Sequence, residues 1–299
     1  MRKLLTGVGV PALTILALSG CGGSSTSSTK ATTPASGSST ANPQITAQVP
    51  ATIKAKGTLN VATEAQYAPN EFIAPDGHTV IGMDADLMHA LAATMGLKAN
   101  LINSTFETII PGLAAGRYDL GVSSFTDTKE REKTVDFVDY YQAGISFYAK
   151  ASTNSGVNTV GALCGKSVAL EKGTTELEEA TKQSSKCTKE GKKAVNVLSF
   201  PGQNPVNLAI ASGRAELGMA DSPVVAYQIK QSSGQFKLLC KCYGFAPYGI
   251  AVPKASGMAA PILAALKMLM ANGTYTQILT KWGIQSGAIT NPRIDGAIS

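Results

Sequence analysis

From residue 57 onward the apolar positions switch between two periods. Leu59-Asn60-Val61-Ala62 is an apolar run of strand length. Over residues 84–95, by contrast, Leu87, Leu91 and Met95 recur every four positions, on one helix face, and Gly96 supplies the stop. A strand near Leu101-Ile102, a helix over 109–115 and a strand at Leu120-Gly121-Val122 follow. Strands alternating with helices predict an α/β fold, a parallel sheet covered by helices.

One stretch repeats. Ala114-Ala115-Gly116-Arg117-Tyr118-Asp119-Leu120-Gly121-Val122 is echoed by Ala211-Ser212-Gly213-Arg214-Ala215-Glu216-Leu217-Gly218-Met219. Each copy reads as a helix ending at a glycine, then a strand that opens on an acid and turns apolar. Ser123, Ser124, Phe125 and Thr126 follow the first strand, and Ala220 and Asp221 the second. Ligands of α/β sheets bind beyond the carboxyl ends of strands, so two such lobes would turn polar groups towards one cleft.

The N-terminal region has a different composition. Arg2 and Lys3 precede an apolar run over 4–18, too short for a membrane span, which ends in small residues. That is the pattern of a secretory signal peptide over 1–20. Leu18-Ser19-Gly20-Cys21 resembles a lipobox, which implies a lipidated Cys21 holding the protein to the cell membrane from the extracytoplasmic side. Residues 22–50 are almost all Ser, Thr, Ala, Gly and Pro, with one charge at Lys30. Such a stretch cannot bury enough apolar surface to offset its ordering entropy. A disordered tether over 21–50, reaching roughly 30 Å, is expected.

The formal charge of +6 falls to +4 once Arg2 and Lys3 are removed with the signal. The basic residues are scattered among acids, without a stripe or a nucleic-acid motif, so no nucleic-acid partner is expected. Besides Cys21 there are Cys164, Cys187, Cys240 and Cys242. An even number outside the cytoplasm favours disulfides, with three possible connectivities. Cys164–Cys187 is the preferred pair, its loop closure contributing about 3 kcal/mol in the chain-entropy model. Cys240 and Cys242 would then pair with each other, at the upper limit of bridging distance. A zinc site competes poorly, because His78 and His89 lie far in sequence from the cysteines. Neither a metal nor a cofactor is expected.

Four motifs, in order, carry a resemblance over 57–283: Tyr67-Ala68-Pro69-Asn70-Glu71-Phe72; Gly82-Met83-Asp84-Ala85-Asp86-Leu87; Thr126-Asp127-Thr128-Lys129-Glu130-Arg131 with Val135-Asp136-Phe137; and Asn272-Gly273-Thr274-Tyr275 with Lys281-Trp282-Gly283. The chain resembles family 3 of the periplasmic-type solute-binding proteins, which deliver amino acids to ABC importers. Asn70, Met83 and Ala85 depart from the family pattern. The resemblance implies a type II periplasmic-binding fold, two α/β lobes joined by two hinge strands. Lobe one would span 51–144 plus 249–299, and lobe two 145–248. It also implies a monomer that binds a free amino acid and docks on permease subunits, with no catalysis.

The site follows from the same match. A free amino acid presents a carboxylate and an ammonium on one carbon, and burying both requires an anchor of each opposite sign. Arg131 falls where the family grips the carboxylate, and its planar fork suits a bidentate pair. Asp221 matches the ammonium acceptor, although an Asp before Ser222-Pro223 is also a common helix cap. Ser124, Thr126 and Thr174 would add hydrogen bonds, Thr174 at a helix N-terminus that favours an anion. Tyr67 and Phe106 match aromatic positions flanking the ligand's stem, with a plain core role as the alternative for Phe106. Glu64 and Glu171 match side-chain pocket positions, unless a neighbouring Lys166 or Lys172 neutralises Glu171. Two carboxylates would repel an acidic ligand and favour a basic amino acid or glutamine.

Two rival readings share the fold. A cyclohexadienyl or arogenate dehydratase would use Glu64 or Glu171 as a general acid. A sensor or murein-hydrolase module would need a further domain, for which residues 284–299 are too few. No nucleophile elbow or phosphate loop is present.

Overall fold

The structure, a computed structural model, describes residues 40–298. The expected signal peptide, Cys21 and most of the expected tether lie outside the described residues.

Two short helices, α1 (Pro43–Gln48) and α2 (Ala51–Lys56), lead into β1 (Thr58–Thr63). Next come β2 (Gln66–Tyr67), β3 (Glu71–Ile73), β4 (Val80–Ile81) and helix α3 (Met83–Thr94). The first half closes with β5 (Lys98–Asn103), α4 (Phe106–Ala114), β6 (Leu120–Gly121) and the long strand β7 (Val135–Lys150). The second half runs β8 (Ser167–Glu171), α5 (Thr175–Lys189), β9 (Asn196–Phe200), α6 (Gln203–Ala211), β10 (Leu217–Asp221), α7 (Ser222–Gln231) and β11 (Phe236–Leu238). Strand β12 (Tyr243–Pro253) then returns to the first half, which ends with α8 (Ala259–Ala271) and α9 (Thr274–Trp282).

The main sheet has the order β5-β1-β6-β12-β7-β10-β8-β9, with β11 paired to β7. Strands β1, β5 and β6 are parallel, as are β8, β9 and β10, while β7 and β12 run antiparallel to their neighbours. Only β7 and β12 belong to both halves. The apolar core divides along them: Val138, Tyr140, Tyr141 and Ala143 pack with α3, α8 and α9, whereas Ile145, Phe147 and Ala149 pack with α5 and β8. The repeated sequence folds the same way twice. Gly116 and Gly213 both adopt left-handed backbone (φ +68° and +78°), where a side chain would be strained. Each then feeds a strand lying parallel to its neighbour.

Helix α4 begins three residues before the expected 109, because Phe106 turns inward onto Phe125. Helix α3 depends on a close approach. A Cβ on Gly82 would meet the Asn70 carbonyl oxygen at 2.1 Å, and that carbonyl accepts the Asp84 amide at 2.9 Å. Asn70 departs from the family's aromatic residue; it is buried, and its Nδ2 donates to Ser124 Oγ at 2.9 Å. The motifs around 67–72 and 82–87 are therefore one packed unit behind the strand ends.

The expected tether is too long at its C-terminal end. Asn42 caps α1 by accepting from the Gln44 and Ile45 amides, and Ile45 and Val49 are buried in the first-half core. Two apolar side chains and a cap suffice to order residues that composition alone places in a linker. Cys164 and Cys187 form a disulfide with Cα atoms 5.6 Å apart, inside the core of the second half. Cys240 and Cys242 do not pair. Cys240 packs against that core, whereas Cys242 faces a groove with Ser146, Leu238 and Phe245, so the two sulfurs have different surroundings.

Candidate ligand-binding site

A cavity of about 300 Å³ opens where the strand ends of the two halves converge. The first half contributes Glu64 from the end of β1, Tyr67 from β2, Phe106 at the start of α4, Ser123 and Ser124 after β6, and then Thr126 and Arg131. The second contributes Glu171 from the end of β8, Thr174, Thr175 and Glu176 at the start of α5, and Asp221 from the end of β10. All nine residues singled out in the sequence line this one space. Glu71, Ser123, Thr175 and Glu176 were missed. Glu71 lay inside a quoted motif without a role, and Glu176 follows Thr174 by two positions, the only hint the sequence offered.

Arg131 is the single cation of the lining. Its Nη1 donates to the Thr126 carbonyl at 2.7 Å and its Nη2 to the Gly173 carbonyl at 2.9 Å. Three of its five N–H groups remain without a hydrogen bond among the described residues. The guanidinium carbon lies 5.6 Å from the Phe106 ring centre and 5.8 Å from that of Phe125, and those rings stack at 4.7 Å. Phe106 therefore joins the core and supports the cation in one geometry.

Asp221 precedes α7 without capping it through its side chain. Its Oδ2 instead accepts from the Tyr67 hydroxyl at 3.1 Å, and its amide donates to the same hydroxyl at 3.2 Å. These bonds and the Arg131–Gly173 bond tie the two halves together across the cavity. Burial, reinforced by the charge of Glu176, holds the Asp221 carboxyl well above its ordinary range.

The remaining carboxyl groups fall into two sets. Glu71 and Asp84 form a bonded layer behind the cavity. Ser123 and Ser124 hydroxyls donate to Glu71 at 3.2 Å each, while the Tyr140 hydroxyl and the Ser124 amide donate to Asp84 at 2.7 and 3.0 Å. This network holds Ser124 in left-handed backbone (φ +49°), a conformation that is sparsely populated outside glycine. The Ser124 hydroxyl and amide, expected to give a ligand hydroxyl or backbone bonds, are both engaged here. The Thr174 hydroxyl is likewise engaged as the cap of α5, donating to the Glu171 carbonyl and accepting from Leu177.

Glu64, Glu171 and Glu176 form the other set. Each is buried, and each has its Oε1 without a hydrogen-bond partner. Lys166 pairs with Glu216 and leaves Glu171 alone. Burial pushes Glu64 up to about 7; burial and then the charges of Glu64 and Glu176 push Glu171 up to about 9. An uncompensated buried charge is costly, so burial favours the protonated form of all three.

A family model for bacterial extracellular solute-binding proteins, family 3, matches residues 59–285. The chain belongs to that family. The arginine-binding protein ArgT of Corynebacterium glutamicum is 33% identical over 254 residues, covering 85% of this chain and 83% of that protein. An ABC transporter glutamine-binding protein, GlnH of Bacillus subtilis, is 31% identical over 214 residues, covering 70% and 74%. A solved ancestral arginine-binding protein bound to arginine superposes with a TM-score of 0.69 at 33% identity, covering 76% of this chain and 98% of that one. This family-3 binding protein thus has the two-lobed type II fold, with β7 and β12 as the strands common to both lobes. Family membership implies an extracytoplasmic location.

Proposed function

We propose that this protein captures a free basic amino acid, L-arginine before others, in the cavity between its lobes and delivers it to an ABC importer. Three buried carboxyl groups, each with an unpartnered oxygen, lining one cavity with a single guanidinium carry the reading. A zwitterionic head needs one anchor of each sign, and Arg131 and Asp221 fit those roles. Glu64, Glu171 and Glu176 are left for a second positive charge, which arginine and lysine have and glutamate lacks. The arginine-binding relative agrees in charge. Glutamine is the runner-up, since carboxyls that keep their protons can hydrogen-bond an amide. Cys21 is the proposed lipid anchor, and the protein acts as a monomer docking on permease subunits.

Calorimetric titration with each free amino acid tests this. Micromolar or tighter binding confined to arginine, lysine or ornithine supports it, whereas glutamate binding, or silence from every amino acid, overturns it. The protonated Glu64 and Glu171 also supply the acid that a dehydratase would need. Formation of an aromatic product from arogenate or prephenate would favour that enzyme.

A further inference from the structure

Residues 293–297 run along the start of β7 and on to the loop that carries Arg131. The carbonyl of Arg293 accepts the Asp139 amide at 2.9 Å, Ile294 bridges Val138 antiparallel, and the Asp295 amide donates to the Phe137 carbonyl at 3.0 Å. Asp295 also accepts the Phe137 amide through Oδ1 at 2.8 Å. The segment therefore lies along the free side of β7, opposite β12, held by one antiparallel bridge at Ile294 before the chain turns at left-handed Asp295.

It reaches both ends of the Arg131 loop. At the far end, the Ala297 amide donates to Glu132 Oε1 at 3.2 Å, and Glu132 directly follows Arg131. Lys129 holds the same carboxylate from within the loop at 2.9 Å. At the near end, Asp127 directly follows Thr126, whose carbonyl bonds Arg131. Asp127 is fully buried beside Asp139, and Gly296 closes over the pair. A Cβ on Gly296 would come within 2.0 Å of Asp139 Oδ2, so the segment seats only because this residue has no side chain. Burial and the charge of Glu132 push Asp127 up to about 6, and burial and the charge of Asp127 push Asp139 up to about 8.

We infer that residues 293–297 are a positioning segment for Arg131: by fixing the loop at Asp127 and at Glu132 they aim the guanidinium into the cavity and set the affinity for the ligand's carboxylate. This rests on the amino-acid-binding reading above. Nothing in the segment touches the cavity, so its influence must pass through the loop.

The test uses the full chain with Ala297→Pro, which removes the amide bonded to Glu132, Gly296→Val, which unseats the segment over Asp139, and Ala297→Ser, which keeps the amide. Binding of arginine and of agmatine, which is arginine without its carboxylate, is titrated for each, with circular dichroism to establish folding. Ala297→Pro and Gly296→Val should weaken arginine about tenfold, the scale of couplings between packed neighbours, with Ala297→Ser matching the parent. Agmatine should change less than twofold, or stay undetectable throughout. Folded Ala297→Pro and Gly296→Val proteins that bind arginine within twofold of the parent would overturn the inference. So would an equal loss for both ligands, which would mean that the segment supports the pocket in general. If the parent binds another amino acid instead, the ligand reading falls, and the same comparison is made with that amino acid and its decarboxylated form. A parent that binds no amino acid sinks both readings.

Discussion

The ends of β6 and β10 follow repeats that match at five of nine positions and lie on opposite walls of the same cavity, yet they carry opposite charge tasks. After β10 the chain passes straight into α7, leaving Asp221 at the junction with its carboxyl inside the cavity. After β6 it turns through left-handed Ser124 and travels to Arg131 before joining β7. The carboxylate on one wall is held by a strand end. The guanidinium on the other hangs on a loop that the rest of the protein must steady. A repeated α/β unit thus supplies matched scaffolds, and the connection that follows each strand decides which charge it presents.

Breaking the loop side should have the largest effect. Arg131→Ala leaves the ligand carboxylate buried without a partner and should weaken arginine about a thousandfold, read by calorimetry. Retained micromolar binding would assign the carboxylate grip elsewhere. On the strand side, Asp221→Asn keeps shape and the Tyr67 hydroxyl as a partner, so a smaller loss of about a hundredfold is expected. If Asp221→Asn cost more than Arg131→Ala, the strand end would be the dominant anchor and the comparison would reverse.

Glu171→Gln sharpens the picture at the side-chain end. It should cost arginine about tenfold while changing glutamine affinity little, since a neutral amide replaces a group that is already neutral in the empty cavity. Equal losses for both ligands would point to a packing role for Glu171.

The smallest effect is on pH. Glu64 and Glu171 have raised values in the empty protein, and a bound cation favours their ionised forms, so the complex carries fewer protons. Arginine affinity should therefore rise by about threefold to tenfold between pH 6 and 8, with proton release visible as a dependence of the binding heat on the buffer. The stability of the empty protein runs the other way. The folded state binds more protons than the unfolded chain, so its contribution is full below about 4.5 and is lost as pH rises through about 7 and 9. An empty-state melting temperature that climbs between pH 5 and 9 would contradict buried, protonated glutamates.

Much of this arrangement was legible in the sequence because it is local. Period-4 apolar spacing marks α3, the glycine-ended repeats mark β6 and β10, and the motif register places Asp221, Glu64, Glu171 and Tyr67 at converging strand ends and Arg131 on the loop that precedes β7. Other features depend on contacts between distant segments. Glu176 faces Asp221 only after α5 docks, the Ser124 hydroxyl is withdrawn by Glu71 and Asn70, and residues 43–48 become helix because Ile45 finds the core.

By itself, then, the sequence determined the α/β alternation and the family, and it narrowed the cysteines to three connectivities with Cys164–Cys187 preferred, since each is written in spacing or residue type. Tertiary structure alone decided which carboxyls are bonded and which face the cavity empty. It also decided that Cys240 and Cys242 stay apart, and that residues 293–297 brace a loop more than 160 positions earlier. Hydrogen-bond satisfaction and burial are properties of neighbours in space, and chain order does not encode them.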